Sequence, residues 1–165
     1  MTTAQCSACG AEAKVVRERY RFTECGLPNV VLLGVEVIQC PVCGNRDPII
    51  PRLNGLMRLL AVAVVAKPYK LEGEDVRFLR KYLRMSGDEF SSLLHVDKTT
   101  LSKWENNEQS IGDQSDRLIR AVTMALGEGL KDKIEEIVRT FPRIQERTDK
   151  IRIAMDPDKM QYEYA

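Results

Sequence analysis

Four cysteines fall in two matched pairs, Cys6-Ser7-Ala8-Cys9-Gly10 and Cys40-Pro41-Val42-Cys43-Gly44. Two residues between the thiols of a pair let both sulfurs reach one ion, and two such pairs supply four thiolates to a tetrahedral Zn²⁺. The glycine after each second cysteine suits a knuckle that turns back through positive φ and frees backbone N–H groups for the sulfurs. Pro41 presets φ at the start of the second turn. The competing readings are two disulfides or unrelated buried thiols. Cys25, the fifth cysteine, is expected as a thiol in or near the small core. Four cysteines close the coordination shell, whereas catalytic sites keep an open position. The expectation is one structural Zn²⁺ on Cys6, Cys9, Cys40 and Cys43. No His/Glu dyad, Ser-His-Asp set or glycine-rich phosphate loop is visible, so no enzyme is expected.

The elements that must position these thiols are strands. Val15 to Phe22 carries β-formers with partial alternation, Gly26-Leu27-Pro28-Asn29 punctuates, and Val30 to Gln39 runs directly into Cys40. A two- or three-stranded antiparallel sheet would bring both knuckles to one end. A unit of this size needs a metal staple to fold. The chain has 165 residues, enough for one domain or two small ones. Its N-terminus has no apolar stretch, and its longest apolar run, Leu59 to Ala66, is too short to span a bilayer. A cytoplasmic protein with reduced thiols and no membrane contact is expected.

A second constellation lies further along. Leu53 to Ala66 reads as a helix ended by Lys67-Pro68, and Glu74 to Arg84 as another, with Val76, Leu79 and Leu83 on one face. Ser86-Gly87-Asp88-Glu89 is a capping box opening a short helix with Phe90, Leu93 and Leu94. Asp97 can cap the next helix, Lys98 to Glu105. Ser115 to Leu126 follows, with Leu118, Ile119, Val122 and Leu126 inward, and then an amphipathic helix over 128–144, the best candidate for a dimer surface. Two short helices around a tight turn, the second polar-faced, form a helix-turn-helix arrangement. Leu101 and Trp104 fit behind the second helix; Lys98, Thr99, Ser102 and Lys103 fit in front as DNA contacts. Formal net charge is only +1, so DNA recognition must come from a few placed groups, not from a polybasic field. Arg77, Arg80, Lys81 and Arg84 form a basic strip, read as a solvated face or as phosphate contacts. Lys67 and Lys70 lie in a hinge where they could touch phosphates, and Asp116 with Arg120 reads as a surface i, i+4 pair. His95, the single histidine, is expected as a turn or surface residue.

Phe78-Leu79-Arg80 through Ser86, Phe90 through Val96, and Leu101-Ser102-Lys103-Trp104-Glu105-Asn106 resemble the lambda-repressor-like (Xre-type) helix-turn-helix family. With both cysteine knuckles included, residues 6–126 resemble more narrowly the MqsA-type antitoxin family, in which a YgiT-type zinc finger precedes an Xre-type helix-turn-helix. The resemblance implies that Thr99 and Lys103 read base edges. Relatives often carry an amide and an arginine there, so a different operator sequence is implied. Many Xre-type domains place a phosphate-touching glutamine where this chain has Gly87, which has no side chain for that contact. The N-terminus of the helix that opens at Ser86 is the phosphate seat that is left there.

The expected architecture is α+β: a small β-rich Zn(Cys)4 module (1–52), a connector helix and hinge (53–70), an all-α lambda-repressor-like domain (71–145) and a mobile tail (146–165). The expected function is a transcriptional repressor, homodimeric on a palindromic double-stranded operator. By resemblance it is the antitoxin of a type II toxin–antitoxin pair, binding a ribonuclease toxin through the zinc module. The alternatives are a stand-alone zinc-containing regulator without a toxin, and a protein-interaction module that has lost DNA affinity.

Overall fold

The computed structural model describes residues 2–146 and 149–165. The chain divides into two compact units. One holds residues up to Thr23, Pro28–Leu56 and Ile151–Ala165; the other holds Glu24–Leu27 and Met57–Lys150.

The first unit is a six-stranded sheet in the order β1-β2-β3-β5-β6, with β4 also on β3. β1 (Thr3–Gln5) and β2 (Glu12–Arg21) form one hairpin; β3 (Val30–Gln39) and β4 (Arg46–Ile49) form another. β2 pairs antiparallel with β3, Lys14 opposite Gln39. That register puts both hairpin turns, which are the two cysteine knuckles, at the same end of the sheet.

The register slips between Glu18 and Tyr20, so β3 carries one extra residue near Gly34, whose φ is +64°. The bulge resets the alternation of β3. Val30 and Leu32 are buried before it and Val35 and Val37 after it, while Glu36 stays exposed. Unbroken period-two alternation from Leu32 would turn Gly34 and Glu36 to the buried side.

The C-terminal segment differs from the expected tail. β5 (Ile153–Asp156) runs parallel to β3, pairing Val30 with Ile153 and Leu32 with Met155, and β6 (Gln161–Tyr164) returns antiparallel. Ile151, Ile153, Ala154 and Met155 are buried. β4 and β5 thus share the edge of β3 that β2 leaves open. The sheet has six strands where two or three were expected: β1 and β4 flank the knuckles, and β5 and β6 come from the far end of the sequence.

The helices are α1 (Leu53–Val65), α2 (Gly73–Tyr82), α3 (Gly87–Leu94), α4 (Lys98–Glu105), α5 (Asp113–Leu126) and α6 (Ile134–Val138). α1 starts in the first unit and continues into the second. Within the second unit α4 packs on α2 and α3, and α5 contacts α2, α3 and α6. The Ser86 capping box closes as expected: Ser86 Oγ accepts from Glu89 N at 3.2 Å, and Ser86 N donates to Glu89 Oε2 at 2.7 Å. α2 has a second capping box, Glu72 with Asp75. Asp97 stands at the N-cap of α4 without a side-chain cap bond.

Residues 128–144 are not one helix. Gly127 is extended and Gly129 has φ +71°, so the chain restarts as a 3₁₀ turn (Lys131–Lys133), the short α6, and a second 3₁₀ turn (Phe141–Arg143) at Pro142. The inward face of α5 also differs. Asp116, Ile119, Arg120, Thr123 and Met124 are buried, whereas Leu118 and Leu126 are exposed.

The reason is a buried ionic centre. Arg120 is fully buried and bonds Asp116 Oδ1 at 2.8 Å. It also donates to the carbonyls of Val65 (2.9 Å), Lys67 (2.6 Å) and Tyr69 (2.6 Å). Asp116 in turn accepts from Leu71 N at 2.7 Å. Beside it Lys67 Nζ meets Asp75 Oδ2 at 2.6 Å, both side chains buried. The Asp116–Arg120 pair is therefore core, and Lys67 is no phosphate ligand. Lys70 is held by Asp113 and Glu146 at 2.9 and 2.7 Å, which raises its pKa.

Removing one partner of a buried pair strands the other charge. Arg120→Ala is expected to cost about 3–5 kcal/mol in denaturant unfolding. Arg139→Ala, which breaks an exposed pair with Glu135, is expected to cost less than about 0.5 kcal/mol. Truncation after Lys150 removes β5 and β6 and is expected to lower the melting temperature of the sheet unit, read by circular dichroism.

Candidate metal centre and nucleic-acid interface

The four knuckle cysteines converge. The Sγ atoms of Cys6, Cys9, Cys40 and Cys43 all lie within 4.8 Å of one another. Cys6 and Cys43 stand 3.6 Å apart, and Cys9 and Cys40 3.5 Å apart. A disulfide needs about 2.05 Å, so these are separate thiols. A tetrahedral ion with bonds of about 2.3 Å spaces its sulfurs by about 3.8 Å, close to what is seen.

The two knuckles are built alike. Gly10 N donates to Cys6 O at 2.9 Å and Cys6 N to Ala11 O; Gly44 N donates to Cys40 O at 3.0 Å and Cys40 N to Asn45 O. Gly10 and Gly44 have φ of +73° and +75°, the positive values expected from their place after the second cysteine. Cys6 and Cys40 are buried against Ala13, with Ala11 and Ile38 beside them, while Cys9 and Cys43 are exposed.

The sulfurs divide in acidity. Backbone N–H groups of Cys9 and Ala8 bring Cys6 down to about 6, and those of Cys43 and Val42 lower Cys40. At Cys43 the N–H of Asn45 favours the thiolate, yet the neighbouring sulfurs of Cys9 and Cys6 push it up to about 12. Cys9 is likewise raised by Cys40 and Cys6 against the N–H of Ala11. Four sulfurs this close cannot all ionise without a cation among them. Asn45 Nδ2 extends the site, reaching Asp47 Oδ2 at 2.8 Å, Ser7 Oγ at 3.3 Å and Cys6 Sγ at 4.0 Å. Cys25 lies outside the cluster; burial pushes its thiol up to about 11.

The second constellation sits on α4. Leu101 and Trp104 are buried, and Lys98, Thr99, Ser102 and Lys103 are exposed on the opposite side. The Trp104 indole N–H has no hydrogen-bond partner among the described residues. His95 caps α3 in the left-handed region at φ +54°, making the turn that separates α3 from α4.

Two of the four exposed groups are engaged. Lys98 Nζ pairs with Asp88 Oδ2 at 2.6 Å, and Ser102 Oγ accepts from Asn106 Nδ2 at 3.3 Å. Thr99 and the Lys103 ammonium have no side-chain partner among the described residues. The N-terminus of α3 carries Asp88 and Glu89 and a capping box that engages the N–H groups of Ser86 and Glu89. Two of the four cations in the basic strip, Arg77 and Arg80, are engaged. Arg80 grips Glu105 with two bonds of 2.6 and 3.0 Å, which raises the Arg80 pKa, and Arg77 reaches Glu105 O and Asn106 Oδ1. Sequence reasoning missed Glu105 and Asn106 because their partners come from another helix.

No helix among the described residues is long and apolar enough to cross a membrane. No protein-family model, curated protein or solved structure matches this chain.

Cys40→Ser removes one of two buried ligands. It is expected to abolish stoichiometric metal binding and lower the melting temperature of the sheet unit, while helicity from the second unit persists. Metal content by mass spectrometry and circular dichroism check both. Acidification is expected to release the metal as protons compete for the thiolates.

Proposed function

We propose that the chain is a zinc-stapled, DNA-binding transcriptional repressor. The observation that carries it is α4: a helix apolar behind and polar in front, preceded by a short capped helix and a left-handed turn at His95. Such a pair suits a helix-turn-helix, in which the second helix presents its N-terminal side chains to the major groove. Thr99 and Lys103 are the base-reading candidates, with Ser102 beside them. Lys98, anchored on Asp88, serves the backbone of the duplex.

Zinc is the ion that an all-cysteine tetrahedral set suits best, and its role here is structural. The resemblance to MqsA-type antitoxins extends the reading to a toxin–antitoxin pair, with the zinc unit as the surface for a ribonuclease toxin. The dimer that a palindromic operator requires is best served by α5. Leu118 and Leu126 are 43% and 53% exposed, and Val122 lies between them at helical spacing. That stripe replaces 128–144, which is not a continuous helix.

The test is genome-wide recovery of DNA bound by the wild type and by Thr99→Ala/Lys103→Ala. One dominant site in the protein's own promoter, lost in the double variant, is expected. Many dispersed sites would instead support a stand-alone regulator. No sites would overturn the DNA reading and turn attention to the zinc unit as a protein-binding surface.

A further inference from the structure

Ser7, Asn45 and Asp47 join the two knuckles outside the sulfur cluster. Ser7 lies within the first knuckle, between its cysteines; Asn45 closes the second, and Asp47 follows it in β4. The Ser7 hydroxyl donates to Asp47 Oδ2, and Asn45 Nδ2 donates to the same oxygen at 2.8 Å. An amide nitrogen carries two hydrogens. The second is left for Ser7 Oγ, 3.3 Å away. Each of the three side chains is thus bonded to the other two.

This ring is not a by-product of the knuckle fold. Matching backbone bonds, Cys6 N to Ala11 O and Cys40 N to Asn45 O, set the two knuckles in correspondence. On that correspondence Ser7, Asn45 and Asp47 answer to Pro41, Ala11 and Ala13, none of which has a side-chain polar group. The bridge therefore runs in one direction and has no twin.

Its place bears on an ion held by Cys6, Cys9, Cys40 and Cys43. Within each knuckle a turn ties the cysteines together, Gly10 N to Cys6 O at 2.9 Å and Gly44 N to Cys40 O at 3.0 Å. Between the knuckles the backbone gives less support, since β2 and β3 pair only as far as Lys14 and Gln39. An ion leaves when the two knuckles part. The ring spans that gap beside Cys6, whose Sγ lies 4.0 Å from Asn45 Nδ2. Groups that hold ligands without touching the metal change its retention by about 10- to 100-fold.

We infer that Asp47 is a positioning residue for the metal centre: by binding Ser7 and Asn45 together it clasps the knuckles and slows release of the ion. The inference rests on the zinc reading proposed above. Asp47 acts in two opposed ways. Its hydrogen bonds hold the knuckles together, while its negative charge adds to that of the thiolates and favours their parting. Asp47→Asn separates the two, because an amide oxygen still accepts from Ser7 and Asn45 but carries no charge.

The experiment is transfer of zinc from the loaded full chain to an excess of chromogenic chelator, where the rate no longer depends on chelator concentration. The proteins are the wild type, Asp47→Ala, Asp47→Asn, Ser7→Ala, Ser7→Ala/Asp47→Ala and Arg17→Ala. The last breaks an exposed pair with Asp158 in the same unit. Co²⁺ absorption establishes that each variant keeps four thiolates. Ser7 is exposed, so its truncation disturbs no packed site. Release at least about 10-fold faster is expected for Asp47→Ala and Ser7→Ala. The double variant should exceed the faster single by no more than about 2-fold, because both remove one interaction. Asp47→Asn and Arg17→Ala should stay close to the wild type. Unchanged release in Asp47→Ala overturns the clasp, as do slower release in both Asp47 variants, effects that multiply in the double variant, and equal acceleration in Arg17→Ala. Each of these leaves the zinc reading intact. A wild type that takes up no stoichiometric zinc overturns both.

Discussion

Four sulfurs brought within 4.8 Å of one another are an electrostatic constraint before they are a ligand set. Backbone N–H groups draw Cys6 and Cys40 toward the thiolate, and the resulting charge forces Cys9 and Cys43 the other way. A cation would resolve the conflict, and the two knuckles are built to hold one. The antiparallel register of β2 and β3 brings the two hairpin turns together, and the paired glycines let each turn fold back on its own cysteine. Metal binding and folding are then one equilibrium, because the unfolded chain has no such cluster to offer.

The second unit is organised by charge in another way. Arg120 gathers the carbonyl of Val65, the last residue of α1, and those of Lys67 and Tyr69 just beyond it, where the backbone leaves its helix and would otherwise bury unsatisfied acceptors. Asp116 and Asp75 satisfy the N–H groups of Leu71 and Glu72 on the far side of the same segment. What reads as a hinge in the sequence is one of the most heavily bonded stretches of the chain. Buried charge of this kind adds little net stability over an apolar core, but it tolerates only one arrangement of the segment.

What the sequence made legible was local. The cysteine spacing, the Ser86 capping box and the bounds of α4 rest on residues a few positions apart, and the structure agrees with each. One misreading was local too, the helix over 128–144 that Gly127 and Gly129 break; the others were long-range. Leu118 and Leu126 have the periodicity of a core face, yet the burial of Arg120 rotates α5 so that they face out. Arg80 read as part of a solvated face, with phosphate contact as the alternative, because its partner, Glu105, comes from a different helix. The segment Ile151 to Tyr164 looked like a tail because the apolar residues of β5 are complementary to Val30–Leu32, and no pattern within the segment says so.

That last pairing bears on how the protein is made. β3 acquires β2 and β4 early, but the Val30–Leu32 half of its free edge waits for β5, which emerges only after the whole of Met57–Lys150. An open strand edge on a nascent chain is an invitation to misassociation. The cysteine cluster, by contrast, is complete as soon as Cys43 leaves the ribosome. Metal capture can thus clamp the half-built sheet throughout translation. Scarcity of the ion would then be felt by newborn chains before finished ones.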